Sequence, residues 1–217
     1  MWVKICGITS EEDALLAAAL GADAVGFVFA PSSRQLAPVR ARDIVRRLPP
    51  EVLTVGVFRD EVPKRVVRIA HEVGLKAVQL HGWESPDQTR AVRSKVAVVI
   101  KAFPAGDPHL SRLDDYAADA VLIDSPVPGS GEVFDWSLAE GAPSNRRFVL
   151  AGGLRPDNVV DAITAVRPWG VDVSTGVEAR PGHKDAAKLR AFIAAAKSVK
   201  PPAYRSPQPP PFDWQDG

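Results

Sequence analysis

The sequence has little of what most often announces a chemistry or a compartment. It contains a single cysteine, Cys6, so no internal disulfide forms and the stapled framework of a small secreted domain is excluded. Lysine and arginine total 27 against 26 acidic residues, a net charge of +1 with both signs interspersed, which offers no basic field to nucleic acid or to an anionic membrane. No apolar run approaches the roughly 20 residues of a membrane span, and the N-terminus lacks a basic stretch followed by an apolar signal core. The four histidines, His71, His81, His109 and His183, show no metal-ligand spacing with carboxylates or thiols. The expectation is a soluble cytoplasmic protein without metal or cofactor, whose partner is a small molecule.

What is present is a period. Short runs rich in Val, Ile, Leu and Phe alternate with segments whose apolar residues recur at helical spacing. The runs fall at residues 2–6, 23–28, 52–57, 76–80, 97–102, 120–123, 147–151 and 169–173. Thr9 or Ser10 ahead of Glu11, Glu12 and Asp13 marks one helix start, Ser85-Pro86-Asp87 another, and Gly21 and Gly74 mark helix ends. Runs such as Val52-Leu53-Thr54-Val55-Gly56-Val57 lack the alternation of a half-wetted sheet and suit parallel strands covered on both faces. Eight such units predict a single α/β domain, a (β/α)8 TIM barrel over residues 1–199. Residues 200–217 are Pro-rich and aperiodic and predict an extended or disordered tail, in which Phe212 and Trp214 are solvated or dock elsewhere.

In such a barrel the chemistry lies just past the C-terminal ends of the strands. Cys6 follows the first run, Arg34 lies after the second, His81 follows the fourth and Asp124 the sixth. Gly152 and Gly153 follow the seventh and Ser174, Thr175 and Gly176 the eighth. The last two groups suit one phosphate, because glycine lets backbone N–H groups approach an anion, hydroxyls add donors, and a following helix N-terminus adds positive potential. Taken singly, each glycine pair is equally a tight turn, Arg34 a surface arginine, Asp124 a loop cap, His81 a structural histidine and Cys6 a buried apolar residue. As functional groups, Arg34 suits a carboxylate, and Asp124 beside an apolar strand holds its proton to higher pH than the model value of about 3.9. Strand parity puts Lys4 and Cys6 on one face of their strand, and Asp172 and Ser174 likewise on one face of theirs. Strands one and eight meet on closure, so Lys4 and Asp172 are expected to pair, with Lys4 lowering the Cys6 pKa from about 8.5. Gln79 and His81 likewise share a face.

From Lys4 to about Lys197 the chain resembles the N-(5'-phosphoribosyl)anthranilate isomerases of tryptophan biosynthesis. The resemblance is carried by Lys4-Ile5-Cys6-Gly7-Ile8, Gly26-Phe27 through Arg34, Val78-Gln79-Leu80-His81-Gly82, Leu122-Ile123-Asp124, Gly129 through Phe134-Asp135-Trp136, Leu150-Ala151-Gly152-Gly153-Leu154, and Val171 through Glu178, with Gly182-His183-Lys184-Asp185 ahead of the last helix. It implies an Amadori rearrangement of a phosphorylated aldosylamine, with Asp124 as general acid and Cys6 as general base. It further implies Arg34 on the anthranilate carboxylate, the residues Gly152, Gly153, Ser174, Thr175 and Gly176 on the phosphate, and Asp172 and His81 near the sugar. The chain departs from the family pattern at Ser33, where proline is usual, at Thr175, where serine is usual, and in the Gly129-Ser130-Gly131 loop. Histidine-pathway aldosylamine isomerases look similar in the phosphate loops but carry aspartate at the strand-one position, so Cys6 argues against them. A non-catalytic phosphate-binding barrel has no need of Cys6, Asp124 and Arg34 together. A closed barrel buries its own sheet edges, so the expected state is a monomer.

Overall fold

The computed structural model describes residues 1–126 and 147–200. Eight parallel strands close in sequence order into a barrel: β1 (Trp2–Ile5), β2 (Ala24–Val28), β3 (Leu53–Phe58), β4 (Ala77–Leu80), β5 (Val98–Pro104), β6 (Ala120–Asp124), β7 (Phe148–Leu150) and β8 (Gly170–Val173). Each expected run contains a strand, with ends displaced by a residue or two; Cys6 falls one residue beyond β1. The helices are α1 (Glu11–Ala19), α2 (Pro38–Val45), α3 (Pro63–Val73), α4 (Pro86–Arg93), α5 (Val159–Val166) and α6 (Ala186–Ser198). A 3-10 segment, Pro108–Tyr116, makes the crossover from β5 to β6. The Gly129-Ser130-Gly131 loop, Phe134-Asp135-Trp136, and the tail with Phe212 and Trp214 lie outside the described residues.

Local chemistry sets these boundaries. Ser10 caps α1 by accepting from the Asp13 N–H at 3.1 Å, and three acidic residues in the first turn meet the positive helix end. Ser85 and Gln88 form a capping box at α4 with Pro86 in the first turn, and Gly74 ends α3 in the left-handed conformation.

Parity divides the core. Val3, Ile5, Val25, Phe27, Val78, Leu80 and Val171 point outward and pack under the helices, whereas Ala24, Leu53, Val55, Ala77, Val98, Ile100, Leu122 and Val149 fill the barrel. Burying both faces stabilises each Leu, Ile or Val side chain by roughly 1.5–3 kcal/mol and leaves the polar inward positions confined to strand ends. Trp2 closes the N-terminal end, stacked on Trp169 at 4.9 Å and lying over Gly170, where a Cβ would approach the indole to 2.7 Å.

Beyond β8 the chain does not enter α6 directly. A 3-10 turn, Thr175–Val177, leads into an antiparallel hairpin of β9 (Glu178–Arg180) and β10 (His183–Lys184). Pro181 and Gly182 make its turn, and the hairpin is tied back to α1 by the Lys184 N–H donating to Asp13 at 3.1 Å. The helix N-terminus expected after the β8 loop is therefore only one 3-10 turn, and after the β7 loop α5 begins at Val159, six residues past Gly153. Both helical contributions to the expected anion site are weaker than the sequence suggests, because the loops are longer than minimal βα turns.

Candidate active site

On four of the strands the inward positions nearest the C-terminal end are polar: Lys4 and Cys6 at β1, Gln79 and His81 at β4, Asp124 at β6, Asp172 and Ser174 at β8. Strand order then places Asp124, the Gly152-Gly153 loop, the Ser174-Thr175-Gly176 loop and Cys6 consecutively around one mouth. The acid and the thiol flank the two loops expected to hold phosphate.

Lys4 and Asp172 face each other in the β1–β8 register, with Nζ 2.9 Å from Oδ1 and the lysine side chain wholly buried. Burial works against the Lys4 charge, but Asp172 and Cys6 outweigh it and hold the ammonium above its ordinary range. A second cation serves Cys6 from β10: Lys184 Nζ donates to the Cys6 carbonyl at 2.6 Å and to the Ser174 carbonyl at 3.2 Å. Lys4 acts on the Cys6 thiol in the expected direction, but the net shift is the reverse. Burial pushes the thiol up, Lys4 and Lys184 pull it down, Asp172 pushes it up again, and the net shift is upward. Lys4 is where parity predicts it, but desolvation of the thiolate is the larger effect.

Asp124 is held from two sides: Oδ1 accepts from the Ser125 N–H at 2.8 Å, and Oδ2 lies 3.2 Å from His81 Nε2. The other ring nitrogen, Nδ1, lies 2.7 Å from Gln79 Nε2. Gln79, His81 and Asp124 thus form one chain of contacts across β4 and β6. The sequence puts Gln79 and His81 on one face, but their reach to Asp124 depends on barrel curvature.

Gly152 and Gly153 adopt φ of +85° and +63°, and a Cβ on Gly152 would approach Asp124 Oδ1 to 3.0 Å, so the first glycine loop abuts the acid. Gly176 is required by contact rather than conformation: a Cβ there would lie 1.9 Å from the Leu154 carbonyl oxygen, so the loops after β7 and β8 pack backbone to backbone. The buried Ser174 hydroxyl has no hydrogen-bond partner among the described residues, which leaves a donor free for a ligand. Beside His81 a cleft of about 370 Å³ opens between Trp83, Phe103, Pro104 and Pro126.

Arg34 crosses the mouth from the loop after β2, as expected, but its fork is already engaged. Nε and Nη2 each lie 2.7 Å from the Glu178 carboxylate, and Nη2 also donates to Thr175 Oγ1 at 3.1 Å. Its stem passes over Gly7, where a Cβ would stand 2.5 Å from Arg34 Cδ. Glu178 and Lys184 are the groups for which sequence reasoning finds no role. The available signal was Pro181-Gly182, the turn that brings the two together. Among the described residues no group of three or more His, Cys, Asp or Glu is placed to hold a metal ion, and no helix is long and apolar enough to cross a membrane.

The closed parallel barrel defines the class, a (β/α)8 barrel with an aspartate and a cysteine flanking glycine loops at its C-terminal mouth. The family model described as N-(5'phosphoribosyl)anthranilate (PRA) isomerase matches residues 3–195. The N-(5'-phosphoribosyl)anthranilate isomerase of Desulforudis audaxviator is 54% identical over 204 residues, covering 91% of this chain and 98% of that one. The phosphoribosyl anthranilate isomerase structure from Thermus thermophilus superposes with a TM-score of 0.85 at 47% identity, covering 92% and 100% of the two chains. Another phosphoribosyl anthranilate isomerase, solved with reduced 1-(o-carboxyphenylamino)-1-deoxyribulose 5-phosphate, gives 0.81 at 45% identity with the same coverage. The chain belongs to the N-(5'-phosphoribosyl)anthranilate isomerase family.

Proposed function

We propose that Cys6 and Asp124 divide the proton transfers of the Amadori rearrangement this isomerase performs in tryptophan biosynthesis, converting N-(5-phosphoribosyl)anthranilate to 1-(2-carboxyphenylamino)-1-deoxyribulose 5-phosphate. The supporting observation is the order around the mouth, in which the β7 and β8 glycine loops lie between the acid on β6 and the thiol after β1. A substrate anchored by its phosphate at Gly152, Gly153, Ser174, Thr175 and Gly176 extends its sugar over both groups. Thr175 accepts from Arg34 and keeps its own O–H for the phosphate.

Protonated Asp124 gives its proton to the furanose ring oxygen, the C1'–O bond breaks, and the nitrogen lone pair forms an iminium at C1'. The Cys6 thiolate removes the C2' proton, and the electron pair of that bond moves to make the enolamine. Loss of the 2'-hydroxyl proton and protonation of C1' give the ketone and restore both groups. His81 holds Asp124 in line, Lys4 and Asp172 support the base from within the barrel, and Arg34 meets the anthranilate carboxylate.

Loss of anthranilate fluorescence on turnover tests this. Cys6→Ser and Asp124→Asn are each expected to lower kcat by roughly 10²- to 10⁴-fold. Either variant retaining the wild-type rate overturns its assignment. For the state of assembly, a closed barrel, whose eight strands leave no edge of their own to pair, supports a monomer, although a Thermotoga maritima relative is described as dimeric. Sedimentation at micromolar concentration decides between them. A cytoplasmic location follows from a phosphorylated substrate, whose charge keeps it from crossing membranes unaided.

A further inference from the structure

The β9–β10 hairpin carries one anion between two cations that serve different parts of the site. Glu178 Oε1 lies 2.7 Å from Arg34 Nε and 3.1 Å from Lys184 Nζ, while Oε2 lies 2.7 Å from Arg34 Nη2. The Gly182 N–H adds a longer contact at 3.4 Å. The Glu178 side chain is only 3% exposed and that of Lys184 is fully buried, so neither charge is tolerable alone. Burial pushes the Glu178 carboxyl up, but Arg34 and Lys184 more than offset it and keep the group anionic, below the usual carboxylate range.

We propose that Glu178 is a positioning residue of the isomerase, fixing the Arg34 guanidinium for the substrate carboxylate and balancing the Lys184 charge beside Cys6. The side-on contact occupies Nε and Nη2 and does not involve Nη1, so an internal carboxylate sets the guanidinium plane while leaving a donor edge for the ligand. Orienting the fork before the substrate arrives removes an ordering cost that binding would otherwise bear. The second arm acts on the base. Cys6 is faced by Lys4 on β1, Asp172 on β8, Lys184 on β10 and Arg34 from the loop after β2, with Glu178 on β9 behind the last two. Burial pulls the Lys184 pKa down and Glu178 holds it up, so removing the Glu178 charge releases the Lys184 proton and withdraws a cation from the thiol, as removing Lys184 itself does.

This inference rests on the reading of Cys6 as base and Arg34 as carboxylate holder, and the test separates the two. The chain carries one cysteine, so the ultraviolet absorbance of the thiolate, measured against Cys6→Ser as blank, titrates that group alone. Glu178→Gln is expected to raise KM for phosphoribosylanthranilate about tenfold or more, the scale of a displaced charged hydrogen bond, with a smaller effect on kcat. The same variant moves the Cys6 titration to higher pH. Lys184→Gln moves it in the same direction and lowers kcat at neutral pH more than it changes KM. A KM effect in one variant and a kcat effect in the other, with a shared movement of the thiol, are not produced by general destabilisation. Glu178→Asp, which keeps the anion, recovers part of the KM loss and covers the case in which the glutamine variant folds poorly.

Adding Glu178→Gln to Arg34→Met is expected to raise KM by less than twofold beyond the single Arg34 change, because the effect passes through that side chain. An undiminished effect in the Arg34→Met background, or a thiol titration that Lys184→Gln moves and Glu178→Gln does not, overturns the proposal. If Arg34→Met itself leaves KM unchanged, the carboxylate-holder reading fails instead, whatever Glu178 does.

Discussion

Lys4 Nζ stands 2.9 Å from Asp172 Oδ1 inside the barrel, one inward position below Cys6 on β1 and one below Ser174 on β8. Lys4→Met removes the cation, so the Cys6 thiol is expected to titrate at higher pH than in the wild type. If Cys6 is the base proposed above and works as thiolate, the rise of kcat/KM with pH moves in the same direction, and part of the lost rate returns in alkaline buffer. Thiolate absorbance and the pH–rate profile check both; an unmoved titration removes Lys4 from the account.

His81 bears on Asp124 rather than on Cys6. With the imidazole 3.2 Å from Oδ2, His81→Ala is expected to lower kcat by about tenfold, less than removal of the acid itself, which costs roughly 10²- to 10⁴-fold. KM changes little, since the phosphate and carboxylate holders are untouched. A fall confined to KM would make His81 a substrate contact instead.

Gly176→Ala forces a methyl group into the Leu154 carbonyl, 1.9 Å from where the new Cβ would stand, so the loops after β7 and β8 must part. The expected result is a rise in KM of up to about 10²-fold, the scale on which a 1 Å misplacement acts. Weaker inhibition by inorganic phosphate should accompany it. Unchanged phosphate inhibition would place the anion elsewhere.

Glu84 and Lys101 are paired at 3.0 Å with almost no exposure, and they fasten the loop that begins at His81: Lys101 donates to the Gly82 carbonyl at 2.7 Å and Glu84 accepts from the Gly82 N–H at 2.9 Å. Burial pulls the Lys101 pKa down and Glu84 opposes that. Glu84→Ala strands the ammonium and is expected to cost about 3–5 kcal/mol in urea unfolding. A loss below 1 kcal/mol would mean that the ammonium finds other partners or deprotonates at little cost.

Much of this was legible without coordinates. The eight strands announce themselves as unalternating apolar runs because parallel strands covered on both faces have no polar side to show. Parity within a strand is a property of the backbone, so Lys4 beside Cys6, Gln79 beside His81 and Asp172 beside Ser174 can be read from residue numbers, and barrel closure then pairs Lys4 with Asp172. The hairpin after β8 was not legible as a site element, since its strands hold only three and two residues and no period fits them.

The sequence by itself determined the barrel, the set of strand-end residues and the family to which they conform, because these depend on local period and on motif. Only the tertiary structure decided that Arg34 is held by Glu178, 144 positions away, that His81 reaches Asp124 across β5, and that burial outweighs two lysines at Cys6. Those outcomes depend on distances between distant segments and on how much water the fold excludes, and neither quantity is carried by any single stretch of chain.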